Sequence, residues 1–158
     1  MIKDYVVWLK QVINKPSKYA ILRRFVIFKE LSSFELHLID NYLHPREYKK
    51  GEMLFEEGYP LEAVFFIDKG EVQVSGPINS QETAVLKKNQ FIGLIDMFNE
   101  DTRSSTAKAI TDVSVLALSR TDLWYLINHN RVLGNKLLVA ISRFLSKYLV
   151  EIASGQQR

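Results

Sequence analysis

A chain of 158 residues, 47% hydrophobic and 25% charged, is long enough for one domain with an apolar core and too apolar to remain disordered. Its formal net charge of +3, from 21 Lys+Arg against 18 Asp+Glu, is too slight and too evenly spread to mark a nucleic-acid binder. The lack of cysteine excludes disulfides, thiolate zinc sites and a cysteine nucleophile, and fits a reducing compartment.

The first third reads as helix. "MIKDYVVWLKQVINK" is no signal peptide, because Asp4 and Lys10 interrupt its apolar run. No apolar segment approaches the ~18–20 residues of a membrane span, so a cytoplasmic protein is expected. Val6, Leu9 and Ile13 recur at helical spacing, and Pro16 ends that run. "SKYAILRRFVIFKEL" follows with a dense apolar patch at Ile21, Leu22, Phe25, Val26 and Phe28. In "SSFELHLIDNYLHPREY", Ser32 or Ser33 can cap a helix, and Glu35 stands three after Ser32, the spacing of a capping box. Leu36, Ile39 and Leu43 form one face, and Pro45 is expected to stop the helix.

From Tyr48 the texture changes. "YKKGEMLFEEGYPLEAVFFIDKGEVQVSG" carries glycines at 51, 58, 70 and 76, with short runs of Phe, Val and Ile between them. Short strands between glycine turns predict a β-sandwich or barrel, which "ETAVLKK" and "DVSVLALS" continue. Helix then returns. "SRTDLWYLINHN" can be capped by Ser119 or Thr121. "RVLGNKLLVAISRFLSKYLVEIA" runs on without proline, with Leu137, Ile141, Phe144, Tyr148 and Ile152 in one stripe widened by Leu138, Leu145 and Leu149. So broad a stripe can cover a β domain with one part and pair with another chain through the rest. "SGQQR" is a polar tail, and the chain shows no internal repeat.

Few residues suggest catalysis. His37, His44 and His129 lack metal-site spacing and read as surface histidines. No nucleophile elbow, P-loop or GxGxxG is present. The carboxylate pairs Glu56–Glu57 and Glu100–Asp101 read as solvated loop charge. "FIGLIDMFNEDTRSS" at 91–105 is different. Gly93 follows a strand and precedes "LIDMF", enough for one or two helical turns whose N-terminal amides could face an anion. Arg103, ten residues after Gly93, could reach the same point with two parallel hydrogen bonds, and Ser104 and Ser105 add hydroxyls. On these local features alone, an ordinary turn with a surface Arg is the commoner arrangement.

The order of elements alters that balance. Roughly residues 22–150 resemble the cyclic-nucleotide-binding domain family, found in the catabolite activator protein, kinase regulatory subunits and gated channels. "FKELSSFELHLIDNYL" resembles the helix before the family's β-roll, and Gly51, Glu52, Phe55, Gly58, Phe66, Ile67, Gly70 and Val72 fall at expected places in its opening strands. "FIGLIDMFNEDTRSSTAKA" resembles the phosphate-binding cassette. The resemblance implies an α+β fold: a β-roll (double-stranded β-helix or jelly roll) between N-terminal helices and a long C-terminal helix. It implies a helical extension over 1–30, a cyclic-nucleotide-binding-like domain over 31–154 and a tail over 155–158.

In that family, backbone amides and an Arg hold the cyclic phosphate, and a Glu accepts the ribose 2′-hydroxyl. By resemblance, Gly93 and Arg103 match the cassette's Gly and Arg, and Ser104 the small residue after the Arg. Thr102 stands where proline is frequent, and Leu94 occupies the Glu position. The ligand-binding set implied is Gly93, Leu94, Arg103, Ser104 and Ser105. Leu94 cannot accept a hydrogen bond, so a ribose hydroxyl buried against it loses ~1–3 kcal/mol, about ten- to a hundredfold in affinity.

Two functions follow as expectations. One is a stand-alone sensor for cyclic AMP, cyclic GMP or a related phosphate, with no helix-turn-helix after the long helix, no metal and no cofactor. It would form a homodimer through that helix and signal to a downstream protein partner. The other is a ligand-independent interaction module that keeps the β-roll as scaffold, with Leu94 filling the pocket. An enzyme is not expected.

Overall fold

A computed structural model of the chain describes residues 16–76, 83–99 and 102–155. The helix expected around Val6–Ile13 lies outside them, as do Glu100 and Asp101. The described residues divide into two compact units: Tyr42–Leu123, and the described residues before Tyr42 together with those after Leu123.

The first unit is a β-roll of two antiparallel four-stranded sheets. Its strands are β1 (Leu43–Tyr48), β2 (Met53–Phe55), β3 (Ala63–Lys69), β4 (Val72–Ser75), β5 (Ala84–Leu86), β6 (Phe91–Ile92), β7 (Thr106–Ala109) and β8 (Val113–Ser119). One sheet has the order β1-β8-β3-β6 and the other β2-β7-β4-β5. Alternation along the strands aims one side chain in two at the shared interior. Phe65 and Ile67 of β3, Val72 of β4, Ile92 of β6, Ala107 and Ala109 of β7, and Val113, Val115 and Ala117 of β8 form that core. The small residues on β7 and β8 leave room for the phenylalanines opposite.

The roll begins earlier than Tyr48. Pro45, expected to stop a helix, lies inside β1 paired with Leu116, and Leu43 opens that strand rather than completing a helical face. The sheet accepts the proline because β1 is an edge strand, where a missing N–H costs no ladder bond.

The second unit is helical. Helix α1 (Pro16–Leu22) starts at the proline, a residue suited to a first helical turn. A 3-10 turn at Val26–Phe28 follows, burying Ile27 and Phe28 but leaving Val26 exposed. Helix α2 (Ser33–Asp40) opens on a complete capping box. The Ser32 hydroxyl accepts the Glu35 N–H at 3.2 Å, and the Glu35 carboxylate accepts the Ser32 N–H at 2.7 Å. His37, read as a surface histidine, is instead buried on α2, with its Nδ1 3.1 Å from the Tyr19 hydroxyl. It sits between Leu36 and Ile39 on the turn of helix that faces inward, where the tyrosine supplies its hydrogen bond. His44 and His129 are exposed as expected.

Helix α3 (Arg120–His129) is capped by Ser119, whose hydroxyl accepts the Asp122 N–H at 3.0 Å. Helix α4 (Arg131–Ala153) starts from the Asn130 side chain, which accepts the Leu133 N–H at 3.1 Å. Gly134 lets the two helices meet closely, since a Cβ there would collide with the Ile127 carbonyl. Leu133, Leu137 and Ile141 are buried, whereas Leu149 and Val150 near the far end are 64% and 65% exposed. No helix among the described residues is long and apolar enough to cross a membrane.

Candidate functional site

The site lies within the β-roll, where β6 gives way to the segment leading into β7. Gly93 follows β6 with φ +89, a left-handed conformation that disfavours side chains. The next residues make a single 3-10 turn, Asp96–Phe98, rather than one or two helical turns. Its bonds run from the Met97 N–H to the Leu94 carbonyl at 3.2 Å and from the Asn99 N–H to the Asp96 carbonyl at 3.1 Å. So short a turn supplies no helix N-terminus for an anion. Thr102 bridges to Pro60. Arg103 is then fixed at both its backbone groups: its N–H donates to Tyr59 at 2.8 Å and its carbonyl accepts the Gly58 N–H at 2.9 Å.

A backbone so held sends the Arg103 side chain inward, and the residue is only 2% exposed. The guanidinium lies 3.9 Å over the Phe55 ring, with the Phe65 ring 5.6 Å away. Both aromatic faces attract a cation. Nη2 donates to the Ala63 carbonyl at 2.7 Å. Nη1 rests against Gly93, where a Cβ would collide with it. Nε and Nη1 are buried without a hydrogen-bond partner. Unpaired buried donors on a charged group are costly and rare in a protein interior. Desolvation lowers the Arg103 pKa to about 10, opposed by the negative charge of Asp96 and then by Glu62 and Tyr48. The group therefore stays cationic at neutral pH.

The other expected site residues fall as follows. Leu94 is 2% exposed, buried one residue beyond the glycine. The Ser104 hydroxyl is not free, as it donates to Asp96 Oδ1 at 2.5 Å. Ser105 is half-buried beside Gly76, which has no room for a side chain against it. Gly93 and Arg103 are thus brought together, and Ser104 is turned to Asp96. Sequence reasoning missed the Phe55 and Phe65 rings beneath Arg103, the Ala63 carbonyl and the burial of Asp96. The rings and the carbonyl come from β2 and β3, remote in sequence, and no local pattern announces them. Among the described residues no cluster of His, Asp and Glu is arranged to hold a metal.

The β-roll thus carries a buried arginine with two unpartnered nitrogens beside a glycine that has no room for a side chain. Residues 45–130 match the cyclic nucleotide-binding domain family, and the chain belongs to it. It is 33% identical over 96 residues to the cyclic nucleotide-gated potassium channel of Rhizobium etli, covering 61% of this chain and 26% of the channel. It is 27% identical over 129 residues to the cyclic AMP receptor protein of Thermus thermophilus, covering 80% of this chain and 60% of the receptor. A solved cyclic nucleotide-binding domain from Methylobacillus flagellatus is 25% identical, with a TM-score of 0.71 over 84% of this chain and 76% of that one. The chain therefore spans 60% or less of the length of these two curated relatives. One is a receptor and the other a channel.

Proposed function

We propose that this chain is a regulatory sensor module whose β-roll binds cyclic AMP, cyclic GMP or a closely related phosphate, with Arg103 as the charged contact. The observation that carries this reading is the pair of unpartnered, buried donors, Nε and Nη1 of Arg103. Phosphate oxygens would offer these donors the charge-assisted acceptors that the interior lacks. Gly93, Leu94 through its N–H, Ser104 and Ser105 complete the proposed contact set. Leu94 offers the ribose no acceptor, so binding is weakened by the ~1–3 kcal/mol of an unpaired buried hydroxyl. The proposed output is a repacking of the helices after β8, passed to a protein partner through them and through a homodimer formed by α4.

The burial of Leu94 at 2% exposure favours a second reading, in which its side chain fills the pocket and the roll is a ligand-independent scaffold for protein contacts. Thermal unfolding with excess cyclic AMP or cyclic GMP separates the two. A binder gains RT ln(1 + [L]/Kd), about 2.7 kcal/mol at a hundredfold excess over Kd. An unchanged unfolding curve at millimolar concentrations of both nucleotides favours the scaffold.

A further inference from the structure

We propose that Asp96 is a specificity-determining residue of the cradle: its buried carboxylate is the resident counter-charge of Arg103, and any anionic ligand must share the arginine with it. This rests on the anion-binding reading of Arg103. Asp96 lies on the 3-10 turn three residues after Gly93 and is 3% exposed. Its Oδ1 accepts the Ser104 hydroxyl proton at 2.5 Å, and Ser104 adjoins Arg103 in the chain. The turn and the serine thus fix a negative charge close to the guanidinium. The two do not bond directly: Arg103 Nε and Nη1 have no partner, and Nη2 donates to the Ala63 carbonyl. The carboxylate acts on Arg103 through space, as the largest influence opposing the desolvation of that group.

An asparagine would serve equally as the hydrogen-bond acceptor for Ser104, so the hydrogen bond does not explain the charge. What the charge does follows from electrostatics. In a dry interior, like charges repel strongly, and the repulsion grows with the charge of the incoming group. A cyclic phosphodiester carries one negative charge, while a phosphomonoester carries about −1.5 to −2 at neutral pH. Asp96 therefore selects the singly charged diester over the doubly charged monoester.

The test is titration of cyclic AMP and 5′-AMP into the wild-type chain, Asp96→Asn and Asp96→Ala. Both variants are expected to bind 5′-AMP at least tenfold tighter than wild type, with a smaller gain for cyclic AMP. A second readout needs no ligand. Asp96→Asn should lower the Tm of the otherwise wild-type chain but not that of Arg103→Met, because only the former has a cation to lose its counter-charge. Binding of cyclic AMP with an unchanged preference in both Asp96 variants overturns this proposal and leaves the anion site standing. Coupling between the two residues in Tm, without binding of either nucleotide to any variant, overturns both this proposal and the anion-binding reading. Additive effects on Tm overturn the counter-charge role itself.

Discussion

At Arg103 the chain accepts a cost in stability. A guanidinium with two nitrogens unpaired is held in the interior by aromatic faces, one carbonyl and a nearby carboxylate. Replacing buried charges with neutral groups of similar shape is often stabilising by ~1–4 kcal/mol. The double replacement Arg103→Met/Asp96→Asn is therefore expected to unfold at higher denaturant than wild type while losing ligand affinity. A double variant less stable than wild type would mean that the arginine serves the fold. Gly93→Ala carries the opposite expectation. It forces a side chain into φ +89 and against Nη1, costing about 1–3 kcal/mol in urea unfolding. The partnership of Gly93 and Arg103 was legible from their ten-residue spacing once the cassette was recognised. The role of Asp96 was not, since nothing in "LIDMFNED" shows which carboxylate the turn buries beside Ser104.

Among the elements, helix boundaries were most legible where a side chain caps them. The Ser32–Glu35 spacing predicted a capping box, and α2 starts there. Its end was misread, because a proline halts a helix but also tolerates an edge strand, and strand partners cannot be seen locally. Glu35 has a second task, receiving Lys136 of α4 at 2.8 Å. Burial opposes its ionisation, but hydrogen bonds from Lys136 and Ser32 outweigh that and leave its pKa below the ordinary 4.5. A carboxyl with a depressed folded-state pKa stabilises above its unfolded pKa, and that stability is lost as pH falls through the folded value. The Tm of wild type is thus expected to fall more steeply between neutral pH and about pH 3 than that of Glu35→Gln. Parallel curves would show that Glu35 contributes no pH-dependent stability. Ser32→Ala should cost about 1 kcal/mol through the lost cap, seen as a lower unfolding midpoint.

For the molecule as a whole, the broad stripe of α4 was legible in sequence, but how it is shared was not, because spacing alone does not say which part is covered. Leu133, Leu137 and Ile141 are buried, while Leu149 and Val150 stay exposed. If the exposed end forms the proposed homodimer, wild type should sediment as a dimer at micromolar concentration and Leu149→Glu as a monomer. A wild-type monomer, or a dimer indifferent to Leu149→Glu, would remove that assignment. The central claim is that the roll holds a phosphate through Arg103, and calorimetric titration of cyclic AMP and cyclic GMP into wild type, Arg103→Ala and Leu94→Glu tests it most directly. Wild type is expected to bind one of the two nucleotides. Arg103→Ala should lose about 2–5 kcal/mol as a buried charged contact disappears, and Leu94→Glu should gain part of the ~1–3 kcal/mol forfeited at the ribose. Equal binding by wild type and Arg103→Ala, or no binding by either wild type or Leu94→Glu at millimolar ligand, would contradict it.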